Sequence, residues 1–484
     1  MEKLDLEDIQ GIIVYGYGKL AAARYLLLQI TDRSAGHDWL SSLVDRITSA
    51  ARNPSVTGQS TCLNLALTAS GLTRLGLAAP TLDQFADEFQ EGMTFTPHRQ
   101  RILGDQGESA PEYWQWGGTT TPRIDLLLML YAIDESTLEQ FYQTLVDEFV
   151  SHGIQEVKRL DTQRLPDRKE HFGFRDDISD PIIAGTERTG TPENTINAGE
   201  FILGYRNGYG QYTNRPLISP DHDPEQLLPI DSASGLKDLG RNGSYLVFRQ
   251  LHQDVRAFWQ FLDQQSRGAQ GEPQPQTRLK LAAQMVGRWT SGAPLVATPQ
   301  QDNADLAEKN DFLYHASDPQ GLKCPFGAHI RRVNPRDALE PNPGSAETLN
   351  TTNRHRILRR GRTYGQPLAG SMQPEDMLNA EAASNPDLER GIHFICFNAN
   401  ISRQFEFIQH TWVNNPKFDG LYNDDDPLIG DRGQNQTHGV SHFTVQAAPV
   451  RKCIAGLPRF VQVRGGSYFF MPGIKAIRFL SQLI

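Results

Sequence analysis

The sequence predicts an α+β fold built from two related units, and three observations predict it. From Ile124 to Ala132 the chain is almost continuously apolar, as in a strand buried on both faces, and Leu138, Phe141, Leu145 and Phe149 follow at helical spacing. From Ile392 to Asn398 the pattern recurs, leading into Ile401, Phe405, Ile408 and Trp412 at the same spacing. The length, 484 residues, exceeds what one ordinary core fills.

In chain order, strands are expected at residues 11–15 and 24–30, and a helix at 39–51. The first strand–helix unit covers residues 124–149. A strand at 245–250 precedes helices at 253–265 and 277–289, and the second strand–helix unit covers 392–412. Residues 266–276, 293–305, 335–353 and 414–436 are rich in Pro, Gly, Asn and Asp and predict loops. Pro216, Pro220, Pro224 and Pro229 place a domain boundary near residue 220, dividing residues 1–220 from 221–484.

Charged residues make up 21% of the chain and hydrophobic ones 38%, a balance that suits a folded globular protein. A net charge of −10 argues against nucleic acid as a partner. No apolar run approaches the ~18 residues of a spanning helix, and the acidic N-terminal residues do not form a secretory signal, so a cytoplasmic, non-membrane protein is expected. Cys62, Cys324, Cys396 and Cys453 are scattered without a CxxC pair, which predicts reduced thiols and no zinc site. The sequon Asn435-Gln436-Thr437 carries little weight in that setting.

Gly16-Tyr17-Gly18-Lys19-Leu20-Ala21 fits a dinucleotide-binding fingerprint. The fingerprint needs a helix next, and the strand expected at residues 24–30 leaves no room for one, so a tight loop is the better reading. Three other segments carry chemistry. Gly173-Phe174-Arg175-Asp176-Asp177 places a carboxylate in a turn. Ala328-His329-Ile330-Arg331 supplies an imidazole between apolar neighbours, which alone is more often structural than a ligand. Arg356-Ile357-Leu358-Arg359-Arg360-Gly361 supplies guanidinium groups. In an extended chain Ile357 and Arg359 share one face, and Leu358 and Arg360 the other, so only one of the adjacent arginines easily enters a given pocket.

Jointly, these segments resemble the dye-decolorizing peroxidases, and the resemblance spans nearly the whole chain. Gly173-Phe174-Arg175-Asp176 is similar to the family's GxxDG signature through the aspartate, with Asp177 where the family has glycine. Gly199 to Tyr205, Arg241 to Arg249, Met285 to Trp289, and His329-Ile330-Arg331-Arg332 followed by Asn334-Pro335-Arg336-Asp337 resemble further blocks, in order. The long loops resemble the larger subgroup.

The resemblance implies two ferredoxin-like units of antiparallel sheet and helix, with haem b in the C-terminal one. It implies His329 as iron ligand, Asp176 as catalytic acid–base group on the N-terminal unit, and Arg359 as catalytic arginine. Arg359 is favoured over Arg360 because it directly follows the Ile-Leu pair. Arg331 and Arg359 join His329 as cofactor-binding residues. The carboxylate behind the proximal histidine would fall near Ser402, and Glu406, four residues on, is a candidate. Asp424, Asp425 and Asp426 read as a solvated loop. The implied activity is reduction of hydrogen peroxide with oxidation of dyes, phenols or other organic reductants, by a monomer or homodimer. The alternatives are a non-enzymatic haem-binding or haem-transfer protein of the same fold, and a nucleotide-dependent oxidoreductase using the Gly16 loop. A bulky dye cannot easily reach a buried haem, so a surface Tyr or Trp could pass on electrons, with Trp412 and Tyr364 as candidates.

Overall fold

The computed structural model describes residues 2–380, 389–432 and 441–483; the sequon at Asn435 lies outside them. Nine strands form one antiparallel sheet: β1 (Ala22–Ile30), β2 (Thr61–Leu67), β3 (Leu126–Ala132), β4 (Ile154–Asp161), β5 (Ser244–Gln253), β6 (Leu358–Arg359), β7 (Arg362–Tyr364), β8 (Gly391–Asn398) and β9 (Val461–Met471). Their order is β6-β8-β5-β9-β2-β3-β1-β4, with β7 also on β8.

Each half follows the ferredoxin-like plan. Counting from its own first strand, each quartet runs fourth, first, third, second. The quartets meet where β9 lies beside β2, at the single registered pair Phe470 and Leu67. That seam explains the unbroken apolar runs. Leu26, Leu28, Leu128 and Leu130 face one side, where Trp39, Leu138, Leu145 and Phe149 pack on them. Tyr25, Leu27, Met129 and Tyr131 face the other, in one cluster with Phe248 and Phe397 from the second quartet. Tyr25 and Phe248 touch at 5.5 Å although three strands separate β1 from β5, so the sheet curls and its inner face closes on itself.

The principal helices are α1 (Arg33–Leu43), α2 (Glu135–Ser151), α3 (Val255–Ser266), α4 (Pro275–Val286), α5 (His329–Val333) and α6 (Ile474–Leu480). Asp134 starts α2 by accepting the Thr137 N–H at 2.7 Å, and Asp32 caps α1 in the same way. Among the described residues no helix is long and apolar enough to cross a membrane.

Four expectations change. Residues 11–14 form a helical turn, Gly11–Val14, instead of a strand, because Gln10 reaches across to Leu65 O and Pro472 O and turns the chain inward. The helix expected at 39–51 is α1, which ends at Leu43 with one tighter turn, Val44–Arg46, after it. The helix after β8 is wound wide, as π-turns over Ser402–Glu406 and Ile408–Val413, with Glu406 N–H donating to Ile401 O five residues back. Within residues 335–353 the chain forms a helix, Ala346–Asn353, started by Ser345. The Gly16 loop runs directly into β1, with no helix to make a nucleotide site.

Candidate functional site

A cavity of about 300 Å³ lies against the outer face of the second quartet, between the sheet, the loop before residue 180, α5 and the wide helix. Ile330, Ile357, Phe394, Phe405, Ile408 and Leu428 give it apolar walls, and Asp176, His329 and Arg359 all line it. Residues far apart in sequence therefore share one chamber.

His329 opens α5, and the rest of that helix anchors it. Arg332 is fully buried and donates to the Trp412 and Asn415 carbonyls at 2.5 and 3.1 Å, and to that of Asp424. This brings the 412–426 segment against the histidine, and Asp426 Oδ2 meets His329 Nδ1 at 2.9 Å. The Asp426 side chain has no exposure. Burial pushes its carboxyl up, but the imidazole and the Ile429 N–H outweigh burial and hold it below the ordinary aspartate value. With Nδ1 so engaged, Nε2 is the nitrogen with no protein partner among the described residues, free to ligate a metal.

Asp426 thus corrects two expectations. It sits in a packed, buried segment rather than a solvated loop, and it takes the place considered for Glu406. Glu406 faces the sheet, where it accepts from Arg99 at 2.7 Å and from Tyr468 Oη at 2.7 Å.

Asp176 lies on a turn pinned through its aromatic neighbours. The Phe172 ring stacks on Phe258 of α3 at 4.4 Å, and Phe174 lies parallel to Trp259. Arg359 of β6, paired opposite Cys396, donates to Asp176 Oδ1 at 3.1 Å and lies 3.8 Å from Asp180. Burial pushes the Asp176 carboxyl up, but Arg359 and the Asp177 N–H outweigh it and leave it below the usual value. Burial alone would lower Arg359, but Asp176, Asp180 and Asp177 hold it above its ordinary range. The Asp176 side chain is 45% accessible, and that surface opens onto the cavity.

The strand alternation expected at Arg359 and Arg360 is realised. Arg360 points the other way, 3% exposed, donates to the Ile12, Ile13 and Val14 carbonyls and pairs with Asp180 at 2.8 Å. It ties the N-terminal turn to the second quartet. Asp177 holds a φ of +68°, the left-handed conformation that favours the family's glycine. Burial, Asp180 and Asp176 push its carboxyl up.

Arg331, expected at the cofactor, does not line the cavity. Its buried guanidinium binds Asp318 at 3.1 Å and the Cys324 carbonyl at 2.9 Å, between the Tyr314 and Phe326 rings. Five other arginines line the cavity, and three of them are buried: Arg288, Arg336 and Arg356. Their hydrogen bonds go to carbonyl and amide oxygens, and no carboxylate pairs with them among the described residues. Burial pushes Arg288 down to about 10 and Arg356 down to about 9. Buried cations without counter-ions are costly, so this wall suits an anionic ligand. Sequence reasoning missed all three, although each stands inside a quoted motif, because only burial sets them apart. Trp412 and Tyr364 are 4% and 7% exposed, so neither is a surface contact for a dye.

The model of the DyP dimeric alpha+beta barrel domain matches residues 8–166. Peroxidase 2 of Mycetinis scorodonius is 33% identical over 98% of this chain and 87% of its own length. A solved structure of an ancestral D-type dye-decolorizing peroxidase superposes with a TM-score of 0.78 at 28% identity, covering 99% of each chain. A dye-decolorizing peroxidase in complex with 2,6-dimethoxyphenol superposes at 0.76, with 26% identity and 98% of each chain covered.

Proposed function

The chain belongs to the dye-decolorizing peroxidase family and is a haem-dependent peroxidase, and we propose that Asp176, Arg359 and His329 carry its chemistry. The observation that carries this reading is the Asp176–Arg359 pair in one apolar cavity with an imidazole whose Nδ1 is already committed to Asp426.

The residues fit a haem, for which haem b is our assignment. The walls are apolar, His329 Nε2 is free to ligate, and Arg288, Arg336 and Arg356 are buried cations suited to carboxylate groups. Bound there, the haem supplies the redox chemistry, passing two electrons to hydrogen peroxide and recovering them from a reductant. His329 would hold the iron, and Asp426 fixes the imidazole tautomer that leaves Nε2 unprotonated.

Asp176, held ionised, accepts the proton from one oxygen of hydrogen peroxide and returns it to the other as water leaves. Arg359 stabilises the negative charge that develops on the parting oxygen, and keeps Asp176 deprotonated between turnovers. The apolar walls keep the pair's interaction strong by limiting water. Phenols and dyes are the reductants this reading favours, in keeping with the phenol complex of the structural relative. The same reading sets the boundary between the halves near residue 220, in the connection between β4 and β5.

Three variants test it. His329→Ala should lose most of the haem absorption. Asp176→Asn and Arg359→Leu should retain haem and react with peroxide about a hundredfold or more slowly. If both distal variants react at the parental rate, the distal assignment is wrong.

A further inference from the structure

We propose that Glu170 is a positioning residue whose carboxylate holds the turn that presents Asp176 to Arg359. The proposal rests on the role given to Asp176 above. Glu170 stands at the head of the same loop and lines the same cavity. Its Oε1 accepts the Phe174 N–H at 2.9 Å, and its Oε2 accepts the Phe172 N–H at 2.9 Å and Gln253 Nε2 at 2.6 Å. The backbone closes the same turn: Gly173 N–H donates to Glu170 O at 2.8 Å, and Glu170 N–H to Phe174 O at 2.9 Å. Gly173 takes a φ of +92°, which lets the chain reverse there.

Both carboxylate oxygens thus act purely as acceptors for donors from two directions, the loop and strand β5. An amide could not replace them, because its NH2 would face either a backbone N–H or the Gln253 amide. The Phe172 and Phe174 rings fix where the turn sits on α3. The carboxylate fixes the direction in which its amides point, and hence the path toward Asp176. Between Phe174 and Asp176 the backbone has two further ties: a bridge between Lys169 and Arg175, and the Asp176 N–H on Arg168 O at 3.0 Å.

Burial pushes the Glu170 carboxyl up to about 7, against the pull of its N–H donors and Gln253. Asp176, a like charge on the same loop, adds to the rise. Strand β5 presents only the neutral Gln253 amide, and no cation pairs with Glu170 among the described residues. Above about pH 7 the clip is charged and holds all three donors; below it, the protonated oxygen is a weaker acceptor and the turn loosens.

The test combines rapid-mixing kinetics of the haem-loaded enzyme with hydrogen–deuterium exchange over residues 166–181. Four proteins are compared: parent, Glu170→Gln, Asp176→Asn and the double variant. Glu170→Gln should react with peroxide about tenfold more slowly, leave the reductant KM unchanged, exchange faster in that segment, and lose the parental rate inflection near pH 7. The double variant should be no slower than Asp176→Asn, since Glu170 acts through Asp176. Parental rates in Glu170→Gln, or losses that multiply in the double variant, would overturn the proposal. If Glu170→Gln does not fold, Gln253→Leu replaces it. That variant should slow the peroxide step about threefold with the same non-additivity, and a parental rate overturns the idea equally. A slow Asp176→Asn beside a parental Glu170→Gln removes only the role of Glu170, whereas a parental Asp176→Asn removes the catalytic reading beneath it.

Discussion

Replacing Asp426 with Asn tests how the protein sets up its histidine. The substitution is nearly isosteric and removes one charge from a site with no solvent exposure. Oδ1 accepts the Leu428 and Ile429 N–H groups at 2.9 and 3.0 Å, so the oxygen of the new amide is drawn to those donors. Its NH2 then faces His329 Nδ1 at the 2.9 Å now spanned by Oδ2. Two donors cannot meet there, so the imidazole must move its proton to Nε2, the nitrogen proposed to hold iron. The lost charge-assisted bond is worth about 1.5–3 kcal/mol, which converts to roughly a 10- to 150-fold weaker hold on haem. Titrating haem-free protein with haem and following the Soret absorption measures this directly. Affinity within about twofold of the parent, with an unchanged reduction potential, would refute the reasoning.

Three further outcomes are expected. Arg360→Leu removes the closer partner of the Asp180 carboxylate and frees three carbonyls of the N-terminal turn, so denaturant unfolding should show a loss of about 3–5 kcal/mol. Asp176 is held below the ordinary aspartate value, so the final acid limb of the peroxide rate, below the inflection assigned to Glu170, should follow that depressed value, and Arg359→Gln should move this limb to higher pH in a stopped-flow profile. Asp177→Gly removes a side chain from a left-handed position at φ +68°, and thermal unfolding should show a gain of up to about 1 kcal/mol.

The strand–helix repeats were legible because strands buried on both faces are apolar along most of their length, as β3 is throughout and β8 is apart from His393 and Asn398. Motif order singled out Asp176, His329 and Arg359, the last over Arg360 because it directly follows the Ile-Leu pair, and the alternation of an extended chain sends the two arginines opposite ways. Other features left no such trace. Gly11–Val14 looks like a strand, and only the reach of Gln10 to strands distant in sequence makes it a helical turn. Asp426 sits among acidic neighbours that resemble a solvated loop until Arg332 draws the segment inward.

Motif order and strand alternation were thus enough to single out three side chains that meet in one cavity and to part the adjacent arginines, because local spacing and backbone geometry are written in consecutive residues. The pairing of Asp426 with the histidine, the burial of three arginines without counter-ions and the hydrogen bonds of Glu170 to the turn before Asp176 emerge on folding. Those outcomes depend on burial and on partners contributed by distant segments, and a side chain's type does not reveal whether folding will leave it a partner.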